Sequence, residues 1–128
     1  MYKILVVALG GSVGALLRYW LSGLTYRMIG VSFPWGTMAV NTIGCFLIGI
    51  LWAIFDYYVI HPGWRIFFLT GFLGAFTTFS TFAFETFNLL QDNEVMLALA
   101  NVAVSIMLGL LLVYLGLISG RQIISITR

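Results

Sequence analysis

The run Gly71-Phe72-Leu73-Gly74-Ala75-Phe76-Thr77-Thr78-Phe79-Ser80-Thr81-Phe82 puts glycines, hydroxyls and aromatic rings together in the middle of a membrane-length apolar segment. Gly71 and Gly74 lower helix propensity, and adjacent threonines can divert hydrogen bonds to nearby carbonyls. The pattern therefore predicts a break near residues 74–78. Backbone freed at that depth is tolerated only where a buried ion or a water-lined cavity satisfies it. A broken helix offers carbonyls to a cation at one end and amides to an anion at the other. Beyond the break, Phe79 and Phe82 are three apart and face similarly. Aromatic rings have a positive edge, so two rings turned edge-on can contact a small anion without burying a full opposite charge. Eight of the eleven phenylalanines fall between residues 67 and 87, so the enrichment is local. A phenylalanine stripe in a membrane helix is ordinarily packing, but the interleaved Thr77, Thr78, Ser80 and Thr81 are poor material for a greasy face alone.

A hydrated anion also needs true hydrogen-bond donors, and the neutral ones within reach of such a site are Asn41, Ser80, Thr81 and, on the fourth span, Ser105. Asn41 lies about five residues into the second span and can both donate and accept, so it would line a pore or bridge two helices. Arg18 ends a charge-free run, about 21 Å along the first helix. It would either anchor the span with its stem in lipid or sit at an aqueous vestibule and concentrate anions there. Glu85 would partner such a cation, bind a hydroxyl or carry a proton. Polar groups inside spans cost free energy unless they are paired or face water, which makes them the better functional signal.

The elements that must position these residues are membrane helices. Charged residues are 8% and hydrophobic ones 62% of the 128, too much apolar surface for a soluble core of this size. A hydrocarbon layer about 30 Å thick needs roughly 20 apolar residues as a helix. The chain offers four such stretches, at about residues 4–26, 34–55, 66–90 and 95–118, forming a single domain over 1–128. The first continues past Arg18 without small-residue cleavage chemistry, so it reads as a span and not as a signal peptide. Connections are short, and Trp20, Trp35, Trp52, Tyr57, Tyr58 and Trp64 sit near helix ends, where amphipathic rings favour the headgroup layer. Lys3, Arg65, Arg121 and Arg128 fall on the side of the termini and Arg27 on the other, a bias that favours termini inside. Gly10, Gly11, Gly14 and Ala15, with Gly44, Ile48 and Gly49, let backbones approach closely, either within one bundle or between copies. Four helices enclose at most a narrow cleft, so a homo-oligomer is expected.

Other chemistry finds little support. Cys45 is single and mid-span, which leaves no disulfide framework or thiolate metal site. His61 lies in a loop beside Pro62. There is no nucleophile-base-acid set, no phosphate loop and no basic cluster for nucleic acid. No enzyme activity and no nucleic-acid partner are expected.

Three motifs, in order along the chain, carry a resemblance: Gly10-Gly11-Ser12-Val13-Gly14-Ala15-Leu16-Leu17-Arg18-Tyr19, Gly36-Thr37-Met38-Ala39-Val40-Asn41-Thr42-Ile43-Gly44, and the pattern of residues 71–82. Together they resemble the CrcB/Fluc fluoride channels. The resemblance implies an all-α membrane protein of four transmembrane helices with the third broken mid-membrane, built as an antiparallel, dual-topology homodimer. It implies a fluoride-selective channel in a bacterial inner membrane that passively exports fluoride from the cytoplasm. A structural, non-transported sodium ion at the dimer centre would be held by backbone carbonyls of Gly74 and Thr77. Phe79 and Phe82 would be the edge-on contacts to fluoride, Asn41 the pore-lining amide, and Ser80, Thr81 and Ser105 further pathway hydroxyls. Arg18 would face the vestibule. The polar track on the fourth helix maps to Asn101, Ser105 and Gly109, with Glu85 nearby, although Gly109 has no hydroxyl. The main rival is a small dual-topology proton-coupled multidrug exporter, which needs an embedded acid in its first span. This first span has Arg18 and no Asp or Glu.

Overall fold

The protein's structure, a computed structural model, describes residues 1–127, so that Arg128, one of the cations counted on the side of the termini, lies outside the described residues. The fold is all-helical. Among the described residues, four helical stretches are long and apolar enough to cross a membrane: α1 (Tyr2–Ile29), α2 (Trp35–Tyr57), a composite third stretch (Pro62–Gln91) and α6 (Val95–Ile126). The composite stretch runs through α3 (Pro62–Arg65), a π-helical segment (Ile66–Leu73), α4 (Gly74–Phe76) and α5 (Phe79–Gln91).

The helices run further than the apolar stretches that announced them. The fourth continues to Ile126, past Arg121, where hydropathy placed the span's end near residue 118. Hydropathy marks where lipid ends, whereas i→i−4 bonding continues through polar residues once water is available to them. At the start of α3, Pro62 takes the first helical position, where its missing N–H costs nothing. His61 caps that turn, its Nδ1 accepting from the Gly63 N–H at 3.1 Å, so its ring is used locally.

Close backbone approach holds the bundle together. α1 crosses the π-helical segment and α4 with Gly10 and Gly14 buried at the contact. A Cβ on Gly10 would stand 2.5 Å from the Phe67 carbonyl oxygen and 3.0 Å from the Phe72 nitrogen, so only glycine fits. This small-residue stripe is thus taken up by packing inside one chain. On the other side α2 lies along α6, where Gly49 and Gly116 face each other. Between the two contacts sits a small core of Val40, Leu73 and Phe76, flanked by Leu47, Leu69 and Phe72. That core lies beside the junction of α4 and α5, and it fixes α2 against the point where the third stretch is interrupted.

Candidate functional site

Two residues separate α4 from α5, and both are extended: Thr77 at φ −88°, ψ 159° and Thr78 at φ −148°, ψ 121°. The local sequence explains each side. The Thr77 hydroxyl donates back to the Leu73 carbonyl at 2.9 Å, alongside the Thr77 N–H at 3.0 Å, which closes the upstream helix. Thr78 opens the next one, its hydroxyl oxygen accepting from the Thr81 N–H at 3.2 Å as an N-cap. One threonine ends a helix and its neighbour starts another.

The extended pair would leave backbone groups without partners in lipid, and Asn41 of α2 supplies them. Its Oδ1 accepts from the Thr78 N–H at 2.7 Å, and its Nδ2 donates to the Thr78 carbonyl at 2.9 Å. A primary amide can match a peptide group in both directions in this way, and it keeps one further N–H. Gly44, one turn further along α2, is buried against Thr77: a Cβ there would collide with the Thr77 Cγ2. Asn41 thus bridges two elements and also borders an open cleft.

That cleft, of about 450 Å³, is lined by Asn41, Gly74, Thr77, Thr78, Phe79, Phe82 and Ser105, with Gly44, Cys45, Leu73 and Ile106 among its apolar walls. Phe79 and Phe82 stand side by side with ring centroids 5.9 Å apart, tilted at 43°. Phe79 is 79% exposed, so the cleft is open on its side. Ser80 and Thr81 are not on the cleft wall. Their hydroxyls lie by the Thr78 hydroxyl instead, which donates to Thr81 Oγ1 at 3.0 Å and sits 3.4 Å from Ser80 Oγ.

From the cleft a chain of polar groups leads along α5 and α6. Ser105 Oγ donates to Asn101 Oδ1 at 3.4 Å, Asn101 Nδ2 donates to Thr86 Oγ1 at 2.8 Å, and Thr86 donates to the Phe82 carbonyl at 2.7 Å. Asn101 is 1% exposed, a cost it meets through these bonds. Gly109 is buried, and a Cβ there would touch Cys45 Sγ at 3.4 Å.

Glu85 faces a second cavity, of about 640 Å³, with Tyr26, Asn88, Asp92 and Glu94. Of its possible partners it takes a hydroxyl: Tyr26 donates to Glu85 Oε1 at 2.7 Å. Oε2 is buried without a hydrogen-bond partner among the described residues. Arg18 is half-buried on α1 and lines neither cavity. Tyr26 and Thr86 are the site residues that the sequence did not single out; their partners, Glu85 and Asn101, lie 59 and 15 residues away and leave no local pattern.

Metal-ligating side chains are not gathered anywhere among the described residues. Backbone oxygen is available instead. The Thr77 carbonyl receives no hydrogen bond among the described residues, and the Thr78 N–H, the usual i+4 donor to Gly74, is turned to Asn41. Both residues border the cleft, and carbonyls freed of helical bonds suit a hard monovalent cation.

Residues 5–117 match the family described as CrcB-like protein, Camphor Resistance (CrcB). The chain is 48% identical over 122 residues to the "Fluoride-specific ion channel FluC" of Solidesulfovibrio magneticus, covering 94% of this chain and 98% of that one. It is 50% identical over 115 residues to the protein of that name from Nitrosococcus oceani, covering 89% and 92%. With the one from Parabacteroides distasonis it shares 42% identity over 128 residues, the whole of both chains.

Proposed function

The chain belongs to the CrcB-like protein family, whose similar members are named ion channels and not enzymes, and on that premise we propose that it is a fluoride-selective channel that lets fluoride leave the cytoplasm down its gradient. The observation that carries this reading is the convergence of Asn41, Phe79, Phe82 and Ser105 on one cleft beside the extended Thr77-Thr78 pair. These groups are neutral. They offer a spare amide N–H, a hydroxyl and two ring edges, each a weak substitute for water around a small anion. Weak, successive contacts are what conduction needs, because an ion must leave each one again.

On this reading, the interruption at residues 77 and 78 would be the mid-membrane break of the third helix. Gly74 and Thr77 would hold a sodium ion through their carbonyls, and its charge would balance an anion nearby without being transported. Asn41 keeps the break in shape, and Thr77 and Thr78 terminate the two half-helices so that these carbonyls stay free of helical bonds. The cleft is open at Phe79, and a second copy inserted antiparallel would close it and bring a second break to the same level. Such a dual-topology homodimer, in the inner membrane of a bacterial cell, is the assembly this reading requires.

The test is fluoride efflux from proteoliposomes holding the purified protein, read with a fluoride electrode and compared with chloride. Rapid fluoride release without chloride release, falling at least about tenfold in Phe82→Ile, supports the channel and the ring contact together. No release from a folded, sodium-loaded protein overturns the reading.

A further inference from the structure

At the far end of the α2–α6 contact lies a cavity of about 510 Å³ lined by Trp52, Ala53, Asp56, Tyr57, Leu117, Arg121 and Ile124. It shares no residue with the cleft of Asn41 or with the cavity of Glu85. Its floor of Ala53, Leu117 and Ile124 is apolar, and its rim carries one acid and one base. Asp56 and Arg121 line the same cavity yet form no ion pair within 4.0 Å, and no side-chain hydrogen bond engages either of them among the described residues. Each is left free to meet something else.

The position of these charges favours a ligand over a structural role. Asp56 stands in the last turn of α2, where the helix dipole disfavours a negative charge. A cation would have served the helix better there. Both charges lie toward the ends of helices long and apolar enough to cross a membrane, and Trp52 and Tyr57, each about half exposed, are the ring types that settle in the headgroup layer where such helices end. The helix ends are tied by the Tyr58 and Thr127 hydroxyls, 3.1 Å apart, which holds the cavity in shape.

The geometry points to a site for a zwitterionic phospholipid headgroup that carries a primary ammonium, of the phosphatidylethanolamine type. The guanidinium of Arg121 would take the phosphate, for which its planar fork is suited. The carboxylate of Asp56 would accept from the ammonium, a bond that a choline group, with no N–H, is unable to make. The first methylenes of the acyl chains would rest on Leu117 and Ile124. An anionic headgroup without an amine would meet Arg121 but also the uncompensated charge of Asp56.

Native mass spectrometry of the full-length protein, released from detergent containing equal amounts of phosphatidylethanolamine, phosphatidylcholine and phosphatidylglycerol with matched chains, tests this site without reference to fluoride. Phosphatidylethanolamine should be retained about tenfold more than phosphatidylcholine, the effect of one charge-assisted hydrogen bond. Asp56→Asn should remove that preference, and Arg121→Gln should lower retention of every phospholipid. Leu117→Trp, which fills the floor and leaves both charges in place, should lower phosphatidylethanolamine retention with the oligomeric state unchanged. Equal retention of the ethanolamine and choline lipids, a preference for phosphatidylglycerol, or an unaltered preference in Asp56→Asn would overturn the proposal.

Discussion

The side-chain amide of Asn41 pairs with the peptide group of Thr78 in both directions, at 2.7 and 2.9 Å, across 37 residues of sequence. The bond pair has the logic of a β-ladder step made by a side chain, and it is what allows two extended residues to exist where lipid offers no partner. Asn41→Ala would orphan a donor and an acceptor on a residue only 8% exposed. The expected cost is about 2 kcal/mol, the low end for two buried groups, since a polar group in a membrane bundle finds partial substitutes. Thermal unfolding in detergent measures it, and an unchanged midpoint would show that the pairing holds nothing in place.

Gly44 and Thr77 test the same junction by shape. A Cβ at Gly44 meets the Thr77 Cγ2, so Gly44→Ala should destabilise by about 1–3 kcal/mol through overpacking. Thr77→Ser removes that methyl and keeps the hydroxyl that bonds to the Leu73 carbonyl. The double variant should recover most of the loss, and strictly additive costs would place the strain elsewhere.

Tyr26 and Glu85 form a bond whose second carboxylate oxygen has no partner among the described residues. Tyr26→Phe should therefore cost about 1.5–3 kcal/mol, the range for a hydrogen bond to a charged group. In a Glu85→Gln background the same substitution should cost clearly less, because the acceptor is neutral. A thermal-unfolding double-mutant cycle reads the difference, and a coupling near zero would mean that the carboxylate finds water instead.

Ser105 ends the polar chain with its longest bond, 3.4 Å to Asn101, and it borders the cleft. Ser105→Ala should change stability by less than about 0.5 kcal/mol, as for a substitution away from tightly bonded groups. Fluoride efflux in the same variant should fall several-fold. A large stability loss with normal efflux would make Ser105 a packing residue.

Sodium removal probes the carbonyls of Gly74 and Thr77. With N-methylglucamine replacing sodium, the unfolding midpoint should drop, and it should return with sodium in a concentration-dependent way, as a ligand bound only by the folded form requires. A midpoint indifferent to the cation would leave the free Thr77 carbonyl to water.

Local pattern explains which parts of this arrangement were legible. The four spans were readable because a lipid layer imposes a minimum apolar length on any helix that crosses it, and the hydroxyl-rich cleft residues stood out because polar groups are costly there. The order of Thr77 and Thr78 was also local, since one back-bonds and the other caps. The pairing of Asn41 with Thr78, and of Tyr26 with Glu85, spans 37 and 59 residues and leaves no periodicity to read. The expected break began at Gly74, but Gly74 is helical at φ −61°, ψ −32°, and the extended pair is Thr77 and Thr78, the latter held by the Asn41 contact. Ser80 and Thr81 were expected on the pathway by type. Their hydroxyls gather around that of Thr78, as residues in the first turn after a cap do.

The π-helical segment Ile66–Leu73 has a consequence for how the third stretch can change in length. A residue inserted into an α-helix turns everything after it by about 100°. A π turn absorbs such an insertion where it stands. Upstream of Gly74, then, deleting one residue is an exchange of backbone pitch, and the cleft residues keep their register against α2. Between Gly74 and Thr78, a deletion drags Thr78 away from Asn41. The one place in this helix that can trade a residue for pitch is therefore the segment that ends at Leu73, itself a wall of the cleft.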